Sequence, residues 1–233
     1  MAYCLGVDGA KSGWIAVRLV HGAFEYEVFG SARAVLEAHS DAAVIAVDIP
    51  MGLSDSGPRT PDALARKFVG GRRASSVFSS PVRGVLNSKS REEASNRHRE
   101  IDGRGFGAQA FGILPKILEW DTLLRANKPA RRIVREIHPE VCFAAMDGNG
   151  GLAEPKKSPQ GAARRAAILS RYFGEIPVND LLGRVPRSRA ARDDVLDALA
   201  ALWSTQRIAR GAALSLPNPP EIDAEGLCRA IWY

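Results

Sequence analysis

The sequence has few of the features that mark secreted, disulfide-rich or membrane proteins. It contains only three cysteines, Cys4, Cys142 and Cys228, an odd number without the paired spacing of a zinc site. This scarcity excludes a disulfide framework and a thiolate metal site as organising features. The longest apolar stretches, such as residues 42–47, fall far short of the roughly 20 residues that span a membrane.

We also expect no secretory signal, because no basic segment followed by an apolar one occurs near the start. We therefore expect a protein of the reducing cytoplasm with no membrane partner. Apolar residues make up 45% of the chain and charged residues 25%, which are the proportions of a folded protein. Without repeats or low-complexity tracts, we predict one domain over residues 1–233 with a loop-rich insertion at about 54–108. The sequence leaves a homodimer open.

The positive charge is unevenly distributed along the chain. Residues 1–58 carry a net charge of −4, residues 59–104 of +6 and residues 105–233 of +4. A basic middle region suits a polyanion such as nucleic acid or a nucleotide phosphate. The alternative is an ordinary solvated helical face, because acidic residues are interleaved with the arginines between Arg91 and Arg104.

The first fifty residues have the pattern of three strands, a helix and a buried strand. The first three strands are predicted at residues 3–8, 14–20 and 24–29. Their short connections predict an antiparallel meander. Ser31 can cap a helix that ends near His39. The apolar run at 42–47 is typical of a strand buried on both faces, and its helical connection favours parallel pairing with the first strand.

The rest of the chain is mainly helical in pattern, so the fold class is α/β with a mixed sheet flanked by helices. A strand is predicted at residues 132–143, broken by Pro139, and Pro115 should kink or restart a helix. Helices are predicted at residues 61–68, 90–100, 109–124, 162–173 and 191–210.

Two aspartates end neighbouring predicted strands. Asp8 closes the first strand and Asp48 the fourth, so parallel pairing would place their ends roughly 4.8 Å apart. Two carboxylates at that distance repel each other and need a shared proton or a bound cation. Each has a simpler explanation, since Asp8-Gly9 is a common turn pair and Asp48 could cap the following loop. The two together favour a functional site.

The long C-terminal helix adds further acids. Asp193 or Asp194 alone is explained as an N-terminal cap that suits the helix dipole. Asp197 lies one turn inside, where aspartate is unfavourable, and it shares a face with Asp194 about 5–6 Å away. A divalent cation with oxygen ligands would compensate this pair. Small residues near Asp197 would let the helix lie close to a sheet.

A fourth polar segment surrounds Glu136 and His138, which strand alternation places on one face. Glu136 is a candidate metal ligand, and His138 a candidate proton-transfer group or phosphate contact. The alternative is a partly exposed strand end with polar side chains.

These acid-bearing segments resemble the ribonuclease H-like superfamily, particularly the RuvC-type resolvases. More closely, they resemble a bacterial family of unknown function whose members are described as RNase H-like nucleases. The resemblance spans residues 6–198 and implies a five-stranded mixed sheet, with three antiparallel strands followed by parallel ones. The strings that carry it are Gly6-Val7-Asp8-Gly9, Asp48-Ile49-Pro50-Met51-Gly52-Leu53, Ser75-Ser76-Val77-Phe78, Pro115-Lys116-Ile117, Glu136-Ile137-His138-Pro139-Glu140 and Asp193-Asp194-Val195-Leu196-Asp197-Ala198.

The resemblance implies two-metal hydrolysis of phosphodiester bonds in nucleic acid. Asp8 would bridge two Mg²⁺ or Mn²⁺ ions roughly 3.5–4 Å apart, one activating water and one stabilising the leaving oxygen. The other implied ligands are Asp48, Asp194, Asp197 and Glu136. The RuvC pattern usually has glutamate where this chain has Asp48, which leaves open whether Glu136 or Asp193 completes the set. Basic residues that would hold the substrate are Lys11, Arg59, Arg72, Arg73, Arg83, Lys116, Lys156 and Lys157.

Two alternatives come from other classes. Gly6-Val7-Asp8-Gly9 also resembles the first phosphate loop of actin-like ATPases and sugar kinases, although those proteins usually duplicate the core and no second such loop is evident. The sequence has no Gly-x-x-x-x-Gly-Lys-Ser/Thr loop either. The other alternative is a non-catalytic nucleic-acid-binding protein in which the acids only maintain the fold and a metal.

Overall fold

A computed structural model describes residues 3–148 and 150–233, apart from the side chains of Arg72 and Gln109. The strands are β1 Cys4–Ala10, β2 Gly13–Val20, β3 Ala23–Phe29, β4 Val44–Val47, β5 Val134–Ile137, β6 Ser215–Ile222 and β7 Cys228–Trp232. They form one mixed sheet in the order β3-β2-β1-β4-β5-β7-β6. The predicted α/β class is confirmed.

The helices lie on both faces of this sheet. They are α1 Ala32–Ala38, α2 Thr60–Val69, α3 Arg91–Asp102, α4 Ala108–Ala126, α5 Ala130–Ile133, α6 Pro139–Asp147, α7 Pro159–Phe173, α8 Glu175–Arg184 and α9 Arg192–Ala209. Within the described ranges, none is long and apolar enough to cross a membrane. Side chains alternate between the two faces of each strand, so the core has one part on each face of the sheet. Ile15 and Ala46 face α6, α7 and α9, whereas Trp14 and Val47 face α1 and α4.

The N-terminal predictions are confirmed. β1, β2 and β3 form an antiparallel meander, and β4 pairs in parallel with β1. Ser31 caps α1, since its hydroxyl accepts a hydrogen bond from the Ala34 N–H at 3.2 Å. β4 is buried along its whole length, as its continuous apolar run predicts.

The prediction of a five-stranded sheet is wrong, because β6 and β7 extend the sheet beyond β5. β7 is parallel to β5, and β6 pairs antiparallel with β7 at the edge. β6 contains Pro217, Pro219 and Pro220, which are typical of a loop. An edge strand tolerates proline because the N–H groups on its outer side have no strand to bond.

The predicted strand at 132–143 is only partly correct. β5 covers four of its residues, and Pro139 starts α6 instead of interrupting a strand. Proline suits the first turn of a helix, where its missing N–H would have no intrahelical acceptor. α4 runs through Pro115 as one element, so the helix does not restart there. The sequence pattern does not predict α8.

Candidate metal centre

Asp8 and Asp48 lie side by side because β1 and β4 are parallel neighbours. Val7 pairs with Val47, and the Asp48 N–H donates a hydrogen bond of 3.1 Å to the Val7 carbonyl. Strand alternation directs both aspartates to the face covered by α9, and Asp8 is only 6% exposed. The two strand ends are therefore adjacent, as predicted.

Helix α9 reaches this pair because β1 has a glycine beneath it. A Cβ at Gly6 would lie 2.8 Å from the Leu202 Cα and would overlap the Ala198 carbonyl. The close approach brings the fully buried Asp197 over the two strand ends. Carboxylate oxygens of Asp8, Asp48 and Asp197 all lie within 4.8 Å of one another. We call these three residues the acidic triad.

Burial and mutual repulsion make the acidic triad hard to ionise. Burial, then the neighbouring charge of Asp197, raises the pKa of Asp48 to about 8. The pKa of Asp8 is raised well above its usual value by burial and by the other two carboxylates. The pKa of Asp197 rises to about 6 through burial, an effect that Lys156 opposes. A nearby cation would favour the ionised carboxylates and lower these pKa values.

Lys156, in the turn before α7, is such a cation. Its ammonium contacts Asp197 Oδ2 and lies 3.9 Å from Asp193 Oδ2. Burial disfavours its charge, but Asp197 and Asp8 outweigh that effect and raise the Lys156 pKa. Asp197 Oδ1 has no hydrogen-bond partner among the described residues. Lys156 contacts only one of the three carboxylates, and burial still keeps all three pKa values raised.

Asp194 lies in the first turn of α9, close to the triad, but its carboxylate already accepts a hydrogen bond. Its Oδ2 accepts a hydrogen bond of 2.8 Å from the Ala191 N–H, which is the capping role expected of an acid in this first turn. Its charge contributes to the raised pKa of Asp8. Asp194 is not one of the three grouped carboxylates, and its role as a metal ligand stays a prediction.

Glu136 lies on the opposite face of the sheet from the triad. It pairs in register with Val47, whose side chain faces α1 and α4. The Glu136 carboxylate accepts hydrogen bonds from Arg59 at 2.5 Å and from the Met51 N–H at 2.8 Å. This pairing fixes the loop that follows Asp48. Its assignment as a ligand stays a prediction, but its oxygens already have partners.

His138 stands at the start of α6, where it caps the helix. Its Nδ1 accepts a hydrogen bond of 3.2 Å from the Glu140 N–H. Burial lowers the His138 pKa to about 4, so the ring is neutral at pH 7. Glu140 itself pairs with the buried Arg165 at 2.5 Å, and Arg165 opposes the raised pKa of Asp197. Glu140 and Arg165 were not identified from sequence.

The residues predicted to bind the substrate are arginines and lysines. The described arginine side chains are engaged by other groups of the protein. Arg59 is 1% exposed and paired with Glu136 and Asp62, and Arg83 pairs with Asp121 and Asp223. Three of these four partners lie outside residues 54–108, so the pairs attach this segment to β5, α4 and the turn after β6. Arg73 donates to the Leu152 and Ala153 carbonyls. The side chain of Arg72 lies outside the described part of the structure.

The lysines predicted to bind the substrate lie either close to the triad or in solvent. Lys116 packs its stem on Gly9 and donates to the Ala10 and Gly13 carbonyls, and its ammonium lies 4.4 Å from the Trp14 ring. Lys11 is exposed at the tip of the β1–β2 hairpin. A cavity of about 770 Å³ opens beside Asp193 and Asp194, and its cationic lining consists of Lys156, Lys157, Arg187 and Arg192.

The chain was compared with models of protein families, with curated proteins and with solved structures, and only the family models gave a match. The family model for DUF429, a protein of unknown function, matches residues 6–222. No curated protein and no solved structure matches the chain. The match runs from Gly6 in β1 to the end of β6 and includes every member of the acidic triad. The chain therefore belongs to the DUF429 family of proteins of unknown function.

Proposed function

We propose that this protein is a metal-dependent nuclease of RNase H-like fold, which hydrolyses phosphodiester bonds with two Mg²⁺ or Mn²⁺ ions. The observation that carries the proposal is the acidic triad, three carboxylates within 4.8 Å on two strand ends and one buried helix. Such a group is costly to ionise without a cation, because each charge would be both desolvated and close to two others.

The donor set fits hard divalent ions. Mg²⁺ and Mn²⁺ prefer oxygen ligands, and the triad offers carboxylate oxygens only. Asp197 is fully buried, and its Oδ1 has no hydrogen-bond partner within the described ranges. A buried unpartnered carboxylate oxygen needs an explanation, and a bound cation supplies one.

The sheet supports the RNase H-like part of the proposal. Its first five strands in spatial order, β3 to β5, have the directions that the resemblance implies, antiparallel across β3, β2 and β1 and parallel from β1 to β5. The two acids on β1 and β4 stand at adjacent strand ends, as the resemblance also implies. β7 and β6 are additions at one edge.

The 770 Å³ cavity is the proposed place for the substrate backbone. It borders the triad at Lys156 and carries three further cations, Lys157, Arg187 and Arg192. Phosphate contacts of this kind position a strand without reading its bases. Asp193 and Asp194 in the first turn of α9 also line the cavity, so its four cations have two carboxylates beside them.

The roles of the chain's own residues follow from this placement. Bound Mg²⁺ or Mn²⁺ would supply an activated water and neutralise charge on the leaving oxygen. Asp8, Asp48 and Asp197 would hold the ions, and the Arg59–Glu136 pair fixes the loop after Asp48. Lys116 keeps the β1–β2 turn in place through the Ala10 and Gly13 carbonyls. Lys156 holds a substrate phosphate.

The direct test is cleavage of a panel of substrates by the purified protein. We expect hydrolysis of at least one class among branched DNA, RNA–DNA hybrids and single strands with Mg²⁺ or Mn²⁺, and none with EDTA. Salt-sensitive binding without turnover on any member would identify a non-catalytic nucleic-acid-binding protein instead. A large thermal stabilisation by ATP–Mg²⁺ over Mg²⁺ alone would favour an ATP-binding protein.

Lys156 gives a second prediction, because its ammonium occupies space that a metal ion would use. Lys156→Met removes the charge and keeps most of the stem, so no ammonium competes for Asp197. We expect Mn²⁺ to bind about tenfold more tightly, or ~1.4 kcal/mol, in a calorimetric titration without substrate. Lys128→Met, at an exposed position away from the triad, is the matched control. Weaker Mn²⁺ binding by Lys156→Met would show that Lys156 supports the metal rather than competing with it.

A further inference from the structure

A second cavity lies apart from the acidic triad, between α2, α6, α7 and α9. Its volume is about 490 Å³, within the range of small-molecule sites. Four aromatic side chains line it together with one arginine. They are Phe68, Tyr172, Trp203, Tyr233 and Arg207.

The aromatic rings form two pairs. Tyr172 meets Trp203 edge-on at 5.7 Å between ring centroids, and Phe68 lies 4.8 Å from Tyr233. Tyr172 is 48% exposed although its hydroxyl donates to the Met146 carbonyl at 3.0 Å. That bond holds the ring at the rim of the cavity, where exposed aromatic surface is available for stacking.

Arg207 adds a cation to this aromatic lining. Its guanidinium lies 4.7 Å from the Trp203 ring centroid, and one Nη donates to the Ala212 carbonyl at 2.9 Å. The Nε of Arg207 is buried and has no hydrogen-bond partner among the described residues. The Nε is out of reach of a ligand, but only one Nη is engaged by the Ala212 carbonyl, so the guanidinium is held in position and its charge can pair with an anionic group.

From these features we infer that this cavity binds a nucleobase, with the attached phosphate on Arg207. Its size suits one ring system with a substituent. Trp203 and Tyr233 are buried and form the floor, whereas the half-exposed Tyr172 ring offers a base a face for stacking near the Arg207 cation. The chain's net charge of +6 favours an anionic ligand over a neutral one. The base could come from a free nucleotide or from a single strand, since both present the same chemistry.

The cavity is independent of the proposed metal site. Trp203 follows Asp197 by six residues in α9, which is a rise of about 9 Å and a rotation of about 240° around the helix. The two side chains therefore leave α9 in different directions. Base binding at this cavity requires neither the triad nor a metal ion, so the two proposals can fail separately.

The test is calorimetric titration of the full chain in EDTA with adenosine 5′-monophosphate and, separately, with a five-nucleotide single-stranded DNA. We expect saturable one-site binding of at least one of them. Binding of the monophosphate identifies a free nucleotide as a ligand, and binding of the oligonucleotide alone identifies a strand-borne base. Tyr172→Ala and Arg207→Gln should each weaken the binding about tenfold.

Two further variants make the result specific. Ile176→Ala also removes an exposed apolar side chain, 83% exposed on α8, but lies outside the cavity lining and should bind like the unaltered protein. Asp48→Asn should also retain binding, which separates this site from the triad. The inference is overturned if neither probe binds, or if Tyr172→Ala and Arg207→Gln, folded by circular dichroism, bind as tightly as the unaltered chain.

Discussion

Asp48→Asn is expected to lower the metal-dependent cleavage rate at least about a thousandfold, the largest effect in this account. Asparagine keeps the shape of the side chain but removes a charged oxygen ligand from a group whose oxygens lie within 4.8 Å. Losing one electrostatic stabiliser in a buried site costs two to three orders of magnitude, and a lost metal ligand at least as much. Single-turnover rates with saturating Mg²⁺ measure the effect.

The matched control is Asp55→Asn, the same change on an aspartate whose side chain is 71% exposed. Asp55 lies outside the triad, so its replacement should leave the rate unchanged. A rate for Asp48→Asn within a few-fold of the unaltered protein would remove Asp48 from the metal centre.

The same substitution should stabilise the metal-free protein at alkaline pH. Burial and Asp197 raise the pKa of Asp48 to about 8 in the fold, so the folded chain retains a proton that the unfolded chain has released. This contribution to stability is fully present below about pH 4 and is lost as the pH rises through about 8. Asparagine has no such loss. Urea titrations in EDTA at pH 6 and pH 9 should show the advantage of Asp48→Asn growing with pH.

Gly6→Ala is expected to destabilise the fold by at least about 3 kcal/mol, the second large effect. The added methyl group would lie 2.8 Å from the Leu202 Cα and would overlap the Ala198 carbonyl, all backbone atoms that cannot rotate away. Helix α9 would have to lift from β1 and β4, which also separates Asp197 from the other two carboxylates. Urea denaturation measures the loss, and Mn²⁺ binding should weaken with it.

Gly30→Ala provides the comparison, because a Cβ at Gly30 meets no atom within 4 Å. Its free energy of unfolding should change by less than about 1 kcal/mol. Equal stabilities for Gly6→Ala and Gly30→Ala would mean that α9 does not rest on β1 as closely as described.

Much of the site's framework could be predicted from local patterns. Asp8 and Asp48 could be placed together because short turns, a continuous apolar run and a helical crossover determine the pairing of β1 with β4. Asp197 was marked by its unfavourable position inside a helix among alanines. Each inference needs only neighbouring residues and one general rule of chain topology.

The rest depends on contacts between distant segments. Alternation within β5 shows which residues share a face with Glu136, but only its register with Val47 shows that this face is opposite the triad. Lys156 lies in a turn with no periodic pattern, so its contact with Asp197 has no local signal. The prolines of β6 are typical of a loop, so the local sequence does not indicate an edge strand there. The pairing of β6 with β7 depends on the arrangement of the whole sheet.

We propose that Asp8, Asp48 and Asp197 together hold divalent metal ions. Anomalous X-ray diffraction from crystals grown with MnCl₂ tests it most directly. We predict two anomalous peaks between the three carboxylates, with the Lys156 ammonium moved away from Asp197. Grouped carboxylates with no anomalous peak, and Lys156 still on Asp197, would contradict the account.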